Sequence, residues 1–265
     1  MAVIRTNSSI AAPITSTTLL AGLETAMQNA GFGTKIHRYV VGNETRDIYR
    51  VQFSTGTYGT AYFITKVNTN NLSIGCSLHY DFNTSTNTGS PSPANSYSNM
   101  TVQTGAGVNF VSFNGGNQFK MVLIIQGVEV GALSLLRPSL ARPNFWTDND
   151  YPYFFMGTAI TGNNKFTTWT STGGAALHPY SSNEVGLRPI NLKGSLPDGK
   201  RQVVCSVQLQ SVTGTNQGFI GQFDSDIAQV AGQSANMLDL IIVEPGTEEY
   251  TILNPVSGGL AVRTV

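Results

Sequence analysis

The densest chemistry-capable stretch is Asn144-Phe145-Trp146-Thr147-Asp148-Asn149-Asp150-Tyr151-Pro152-Tyr153-Phe154-Phe155. Aromatic faces such as those of Trp146, Tyr151 and Tyr153 stack on flat or ring-shaped ligands, and Asp148 and Asp150 supply hydrogen-bond acceptors beside them. A set of this kind suits a glycan. It equally suits an apolar plug where two halves of a chain meet, and its place at a proline-rich junction favours the plug.

The remaining candidates are sparser. Asp224 and Asp226 flank Ser225, and oxygen ligands at i and i+2 make only a fragment of a calcium loop, so the pair reads as turn capping. Two carboxylates about 5–10 Å apart are enough for glycoside hydrolysis, but nothing in the spacing of Asp148, Asp150, Glu244, Glu248 and Glu249 selects a pair. His37, His79 and His178 are far apart and match no metal-ligand spacing; His79 falls on the polar side of its strand pattern and reads as exposed. Gly31-x-Gly33 and Gly105-x-Gly107 lack the third glycine and the strand-to-helix context of a dinucleotide site. No GxxxxGK[ST], HExxH, GxSxG or CxxC occurs. The expectation is a non-enzyme with no catalytic residues, no metal and no cofactor.

The elements that would carry such groups are mostly strands. One helix is expected over Thr15–Ala30: Thr15-Ser16-Thr17 offers a cap, Leu19, Leu20, Leu23, Met27 and Ala30 form an apolar stripe, and Gly31 supplies a stop. Alternation follows at Tyr49–Ser54, Ala61–Val67 and Leu72–Phe82. Met121–Ile125 is a continuous apolar run, as for a strand covered on both faces, and Gln126-Gly127 turns it back. Cys76 and Cys205 lie on the apolar side of their strands and read as buried free thiols, with a disulfide between the halves as the alternative. Beyond residue 152, short strands separated by Gly and Pro suggest a β-sandwich or jelly-roll-like part.

Asn83–Asn99 is Asn, Thr, Ser, Gly and Pro with a single aromatic residue, Tyr97. Such a composition cannot order itself by burial, at ~1–2 kcal/mol of backbone entropy per residue. It is expected to be a loose tip or an assembly arm laid along a neighbour, with Pro91 and Pro93 keeping it extended, Tyr97 as anchor, and Asn83 and Asn99 as its ends. The expected organisation is therefore a helix plus antiparallel meander over 1–137 with a polar arm at 83–104, a junction at 138–152, and a sandwich-like part over 153–265.

Charge is unusually scarce. Asp, Glu, Lys and Arg make up 11% of 265 residues, whereas Thr 29, Ser 23, Asn 22 and Gln 12 fill about a third of the chain. Fifteen basic and fifteen acidic residues cancel, leaving no basic footprint for nucleic acid. No apolar run is long enough to span a membrane as a helix. The Met1–Arg5 start does not read as a secretory signal. A neutral polar surface repels its own copies weakly, which favours association.

Several segments together look like virion structural proteins of tailed bacteriophages. They are the Thr15–Ala30 helix with its meander, Leu135-Leu136-Arg137-Pro138 and Arg142-Pro143 leading to Asn144-Phe145-Trp146, and the ending Glu244-Pro245-Gly246-Thr247-Glu248-Glu249-Tyr250…Gly258-Gly259-Leu260-Ala261-Val262-Arg263. The similarity is strongest over about residues 15–80 and 200–265. The resemblance implies a structural subunit of neck, tail, baseplate, fibre or capsid decoration, in the host cytoplasm during assembly and then in the virion. Its implied partners are copies of itself in a closed oligomer and other virion proteins, not nucleic acid or membrane. A carbohydrate-binding receptor module centred on Trp146–Phe155 is the alternative function, and a hydrolase the third.

Overall fold

The computed structural model describes residues 2–52, 60–79, 81–90, 95–116, 119–136, 154–159, 174–177, 185–187, 203–205, 208–211, 218–223, 226–230, 236–243, 246–253 and 259–265. In chain order the elements are β1 (Ile4–Ile10), α1 (Ser16–Asn29), β2 (His37–Val41), β3 (Glu44–Gln52), β4 (Thr60–Asn68), β5 (Ser73–His79), β6 (Asp81–Asn83) and β7 (Thr88–Ser90). There follow β8 (Asn95–Thr101), β9 (Val108–Gly115), β10 (Phe119–Gln126), β11 (Glu129–Leu136), β12 (Phe154–Ala159), β13 (Gly174–Leu177) and β14 (Val185–Leu187). The last are β15 (Val203–Cys205), β16 (Gln208–Ser211), β17 (Gly218–Gln222), β18 (Ile227–Val230), β19 (Leu240–Val243), β20 (Glu248–Ile252) and β21 (Gly259–Arg263). The protein is mainly β, all antiparallel, with a single helix among the described residues.

The helix forms where local chemistry asks for it. Thr15 and Thr18 make a capping box, each side chain accepting from the other's backbone N–H. Leu19, Leu23, Ala26 and Met27 turn inward, and Gly31 follows the C-terminus in the left-handed region that favours glycine.

Three sheets stack around two cores. The middle sheet runs β1-β9-β10-β11-β12-β13. Val122 and Ile124 of β10 face a core shared with α1 and with the second sheet, β2-β3-β4-β5-β8. Phe119, Met121 and Leu123 face the opposite way, against Ile227, Leu260 and Val262 of the third sheet, β15-β18-β21-β20-β19. The apolar run at Met121–Ile125 is thus a strand covered on both faces, as its pattern predicted, and Gly127-Val128 closes the β10–β11 hairpin.

Two expectations change. β12 and β13 come from beyond the 138–152 junction yet extend the sheet of β9–β11. Val3, Val111 and Phe113 share a core with Phe223, Leu253 and Val262, so the described residues on either side of that junction pack as one body. The described parts of the polar segment join the fold through strand pairing. Asn83 opens a hairpin by accepting from the backbone N–H of Ser85 (2.9 Å) and Thr86 (3.4 Å), β6 pairs with β7, and β8 joins the edge of β5 with Tyr97 opposite Cys76. Backbone pairing, with buried Phe82 and Met100 at its two ends, brings the described part of this stretch into the fold.

Phe113 is fully buried between the middle and third sheets. Phe113→Ala is expected to destabilise the whole chain by about 3–5 kcal/mol, measured as a lowered urea midpoint in a single far-ultraviolet circular dichroism transition.

Candidate functional site: the open edge of the middle sheet

Nothing in the described residues builds a reaction centre. His79 is buried, 7% exposed, rather than on the surface as its strand pattern suggested. The β6–β7 hairpin folds over that face of the second sheet, bringing Phe82 against Tyr39, Ile48 and Ile64 and edge-on to the imidazole. His37 Nε2 and Asn87 Oδ1 tie the hairpin tip to β2 at 3.0 Å. A Cβ at Gly89 would collide with the His79 ring, so glycine is what lets the hairpin close. Burial, with the Lys66 charge behind it, pushes His79 down to about 4, so it is neutral at pH 7. Burial likewise pushes the Cys76 thiol up to about 12, leaving it unreactive. Lys120 is pushed down to about 8 by burial and donates to the Gly116 carbonyl at 2.7 Å.

The carboxylates are engaged in packing. Asp47, 2% exposed, receives a two-toothed contact from Arg38 at 2.5 and 2.6 Å. Glu24 of α1 meets both Arg38 and Lys35, joining helix to sheet. Asp226 binds Arg263 at 2.8 Å, and Arg263 also reaches Glu248 at 2.8 Å. The second aspartate of the 224–226 pair is thus engaged by an arginine. Among the described residues no cluster of three or more His, Cys, Asp or Glu could hold a metal. Trp146, Asp148, Asp150, Tyr151 and Tyr153 lie outside the described residues, as do Pro91, Pro93 and Asp224; Tyr97 and Asn99 enter β8, and the side chain of Cys205 is likewise not described.

What the geometry does offer is an edge. β1 pairs with β9 from Ile4↔Asn114 to Ile10↔Val108 and has no described strand on its other side. The Val3 N–H points away from β9 and donates to the Arg263 carbonyl at 2.7 Å. In an antiparallel ladder successive residues alternate between the two sides. Arg5, Asn7 and Ser9 therefore turn their N–H and C=O groups outward, while Ile4, Thr6, Ser8 and Ile10 bond to β9.

Clefts flank this edge on both faces. One of about 360 Å³ is lined by Arg5, Asn7, Ser9, Val111 and Leu238. The other, of about 300 Å³, lies between β1 and α1, lined by Ser8, Ile10, Ala21, Gly22 and Phe110. Arg5 Nε and Ser8 Oγ are buried without a hydrogen-bond partner in the fold, a cost of roughly 1–3 kcal/mol each for a group taken from water unpaired.

Five of the eight large apolar side chains exposed among the described residues follow the same geography, while Ile36, Val128 and Val265 lie outside the strands. Ile4 of β1 is 62% exposed, Val40 of β2 66% and Ile242 of β19 65%, with Val41 and Leu240 beside them. Each of these strands is the edge of its own sheet. Sequence analysis leaves Ile4–Ile10 unassigned because its four central positions are all Thr, Asn or Ser. The available signal is the pair of isoleucines spaced equally on either side of Asn7.

His79 yields a pH dependence. Its folded value of about 4 lies below the ordinary histidine value of 6.5, so the unfolded chain binds the extra proton between those limits, and stability falls as pH drops from 6.5 towards 4. Relative to His79→Phe, the parent is expected to lose about 2 kcal/mol more between pH 6.5 and 4.5. Urea midpoints of the two proteins across that window provide the check.

Compared with known proteins, no family model matches the chain and no curated protein matches it.

Proposed function

We propose that this protein is a structural subunit of a tailed-phage virion and works by protein–protein assembly. The observation that carries the reading is that five of the eight exposed large apolar side chains among the described residues sit on sheet edges. Ile4, Val40, Val41, Leu240 and Ile242 sit on β1, β2 and β19, the edge strands of three sheets. An isolated soluble protein guards such edges with charge, proline or cover, because unpaired backbone groups beside apolar side chains recruit further strands. Here the edges combine apolar side chains with a chain that carries only 11% charged residues. That is a surface built to be covered. The sequence resemblance to tailed-phage structural proteins supplies the kind of particle, and its component (neck, tail, baseplate, fibre or decoration) follows from the partners that cover the edges.

Light scattering on the purified protein is expected to give a closed homo-oligomer whose mass does not grow without limit as concentration rises. The same preparation is expected to show no retention on an array of bacterial surface glycans. A monomer that binds one glycan tightly would replace this reading with the carbohydrate-binding module centred on Trp146–Phe155.

A further inference from the structure

We infer that β1 is a two-fold interface: the β1 strands of two copies pair antiparallel about Asn7, joining their middle sheets into one. This rests on the assembly reading and names its first contact.

The register comes from the residues themselves. Arg5, Asn7 and Ser9 carry the outward backbone groups, and Asn7 is the central one of the three. Antiparallel pairing about Asn7 sets Arg5 opposite Ser9 of the second copy, Asn7 opposite Asn7, and Thr6 opposite Ser8. It also sets Ile4 opposite Ile10 at both ends, since each isoleucine lies three residues from the centre. Every outward rung then meets another outward rung.

Three observations converge on this register. Ile4, exposed in one copy, lands beside Ile10, which lines the cleft between β1 and α1, so the seam covers apolar surface that the single chain leaves wet. On β1 the two side chains with a buried, unpartnered polar atom, Arg5 and Ser8, come to lie opposite Ser9 and Thr6 of the second copy. The only charge on the strand, Arg5, faces a neutral hydroxyl, and the two arginines fall at opposite ends of the seam. A slip by one residue would set outward rungs against inward ones, and a slip by two would separate the isoleucines from each other. A strand from a different protein would have no reason to match this symmetric spacing.

The test uses the full chain. In the proposed seam, Thr6 and Ser8 of the second copy form a close, non-hydrogen-bonded pair with Cα atoms about 4.5 Å apart, within disulfide reach. Thr6→Cys with Ser8→Cys is expected to give a covalent dimer on mild oxidation, while Thr6→Cys alone gives none. Asn7→Pro removes an outward N–H and no bond to β9. It is expected to keep the far-ultraviolet circular dichroism spectrum and to halve the mass seen by light scattering. If the parent assembles but the double cysteine variant does not cross-link, or Asn7→Pro leaves the mass unchanged, the β1 seam is wrong and the assembly reading survives with another interface. If the parent is a monomer at all concentrations, both fall.

Discussion

Alternate side chains of β10 enter two different cores. Val122 and Ile124 pack under the helix and the second sheet, and Phe119, Met121 and Leu123 pack against the third. Because a strand's side chains alternate by necessity, a strand buried on both faces ties the layers above and below it to one backbone. The rest of the molecule is arranged around that constraint. β9 and β11 share its double burial through Phe110 with Phe113 and Leu133 with Ala132, and residues from both ends of the chain meet there, with Val3 on the backbone of Arg263.

Away from these cores the chain uses few charges and places several of them with care. Arg38, Asp47, Glu24 and Lys35 form one connected group between α1 and the second sheet, where burial makes pairing obligatory: removing one partner would leave a carboxylate out of water without its counter-charge. Tyr49 lies next to this group with its hydroxyl buried and unpartnered, and burial together with Asp47 raises the phenol above its ordinary value. On the opposite face of the same sheet the hairpin covers His79. One sheet thus carries the Arg38, Asp47 and Glu24 group towards the helix and, towards the hairpin, an aromatic cluster with Arg46 and Lys66 beside it.

Low charge and open edges act in the same direction. A surface of Thr, Ser, Asn and Gln hydrogen-bonds well with water and equally well with another protein backbone, and it generates little long-range repulsion. Strand edges offer donors and acceptors in register, which fixes orientation, while neighbouring isoleucines and valines supply the apolar area that backbone pairing alone lacks.

Much that depends on neighbours in sequence was legible in the residues alone. The Thr15–Thr18 cap, the Leu19–Leu23–Met27 stripe and the stop at Gly31 define the helix, because each contact spans four residues or fewer. The unbroken apolar run of β10 announces burial on both faces, the turn expected at Gln126-Gly127 falls one residue later at Gly127-Val128, and Cys76 is buried as its alternation requires. Tertiary structure decided the rest. His79 alternates as a polar-side residue and becomes buried only because a hairpin arising after it in the chain folds back over it. The polar stretch after Asp81 contains no apolar periodicity, and its described parts, β6, β7 and β8, are placed by backbone pairing that every residue type but proline can make. Ile4–Ile10 shows its character only once β9, about a hundred residues later, takes one of its edges, with no described strand on the other. Hydrogen bonds between backbones carry no side-chain signature, so the partner of a strand is settled by the whole fold and not by the strand.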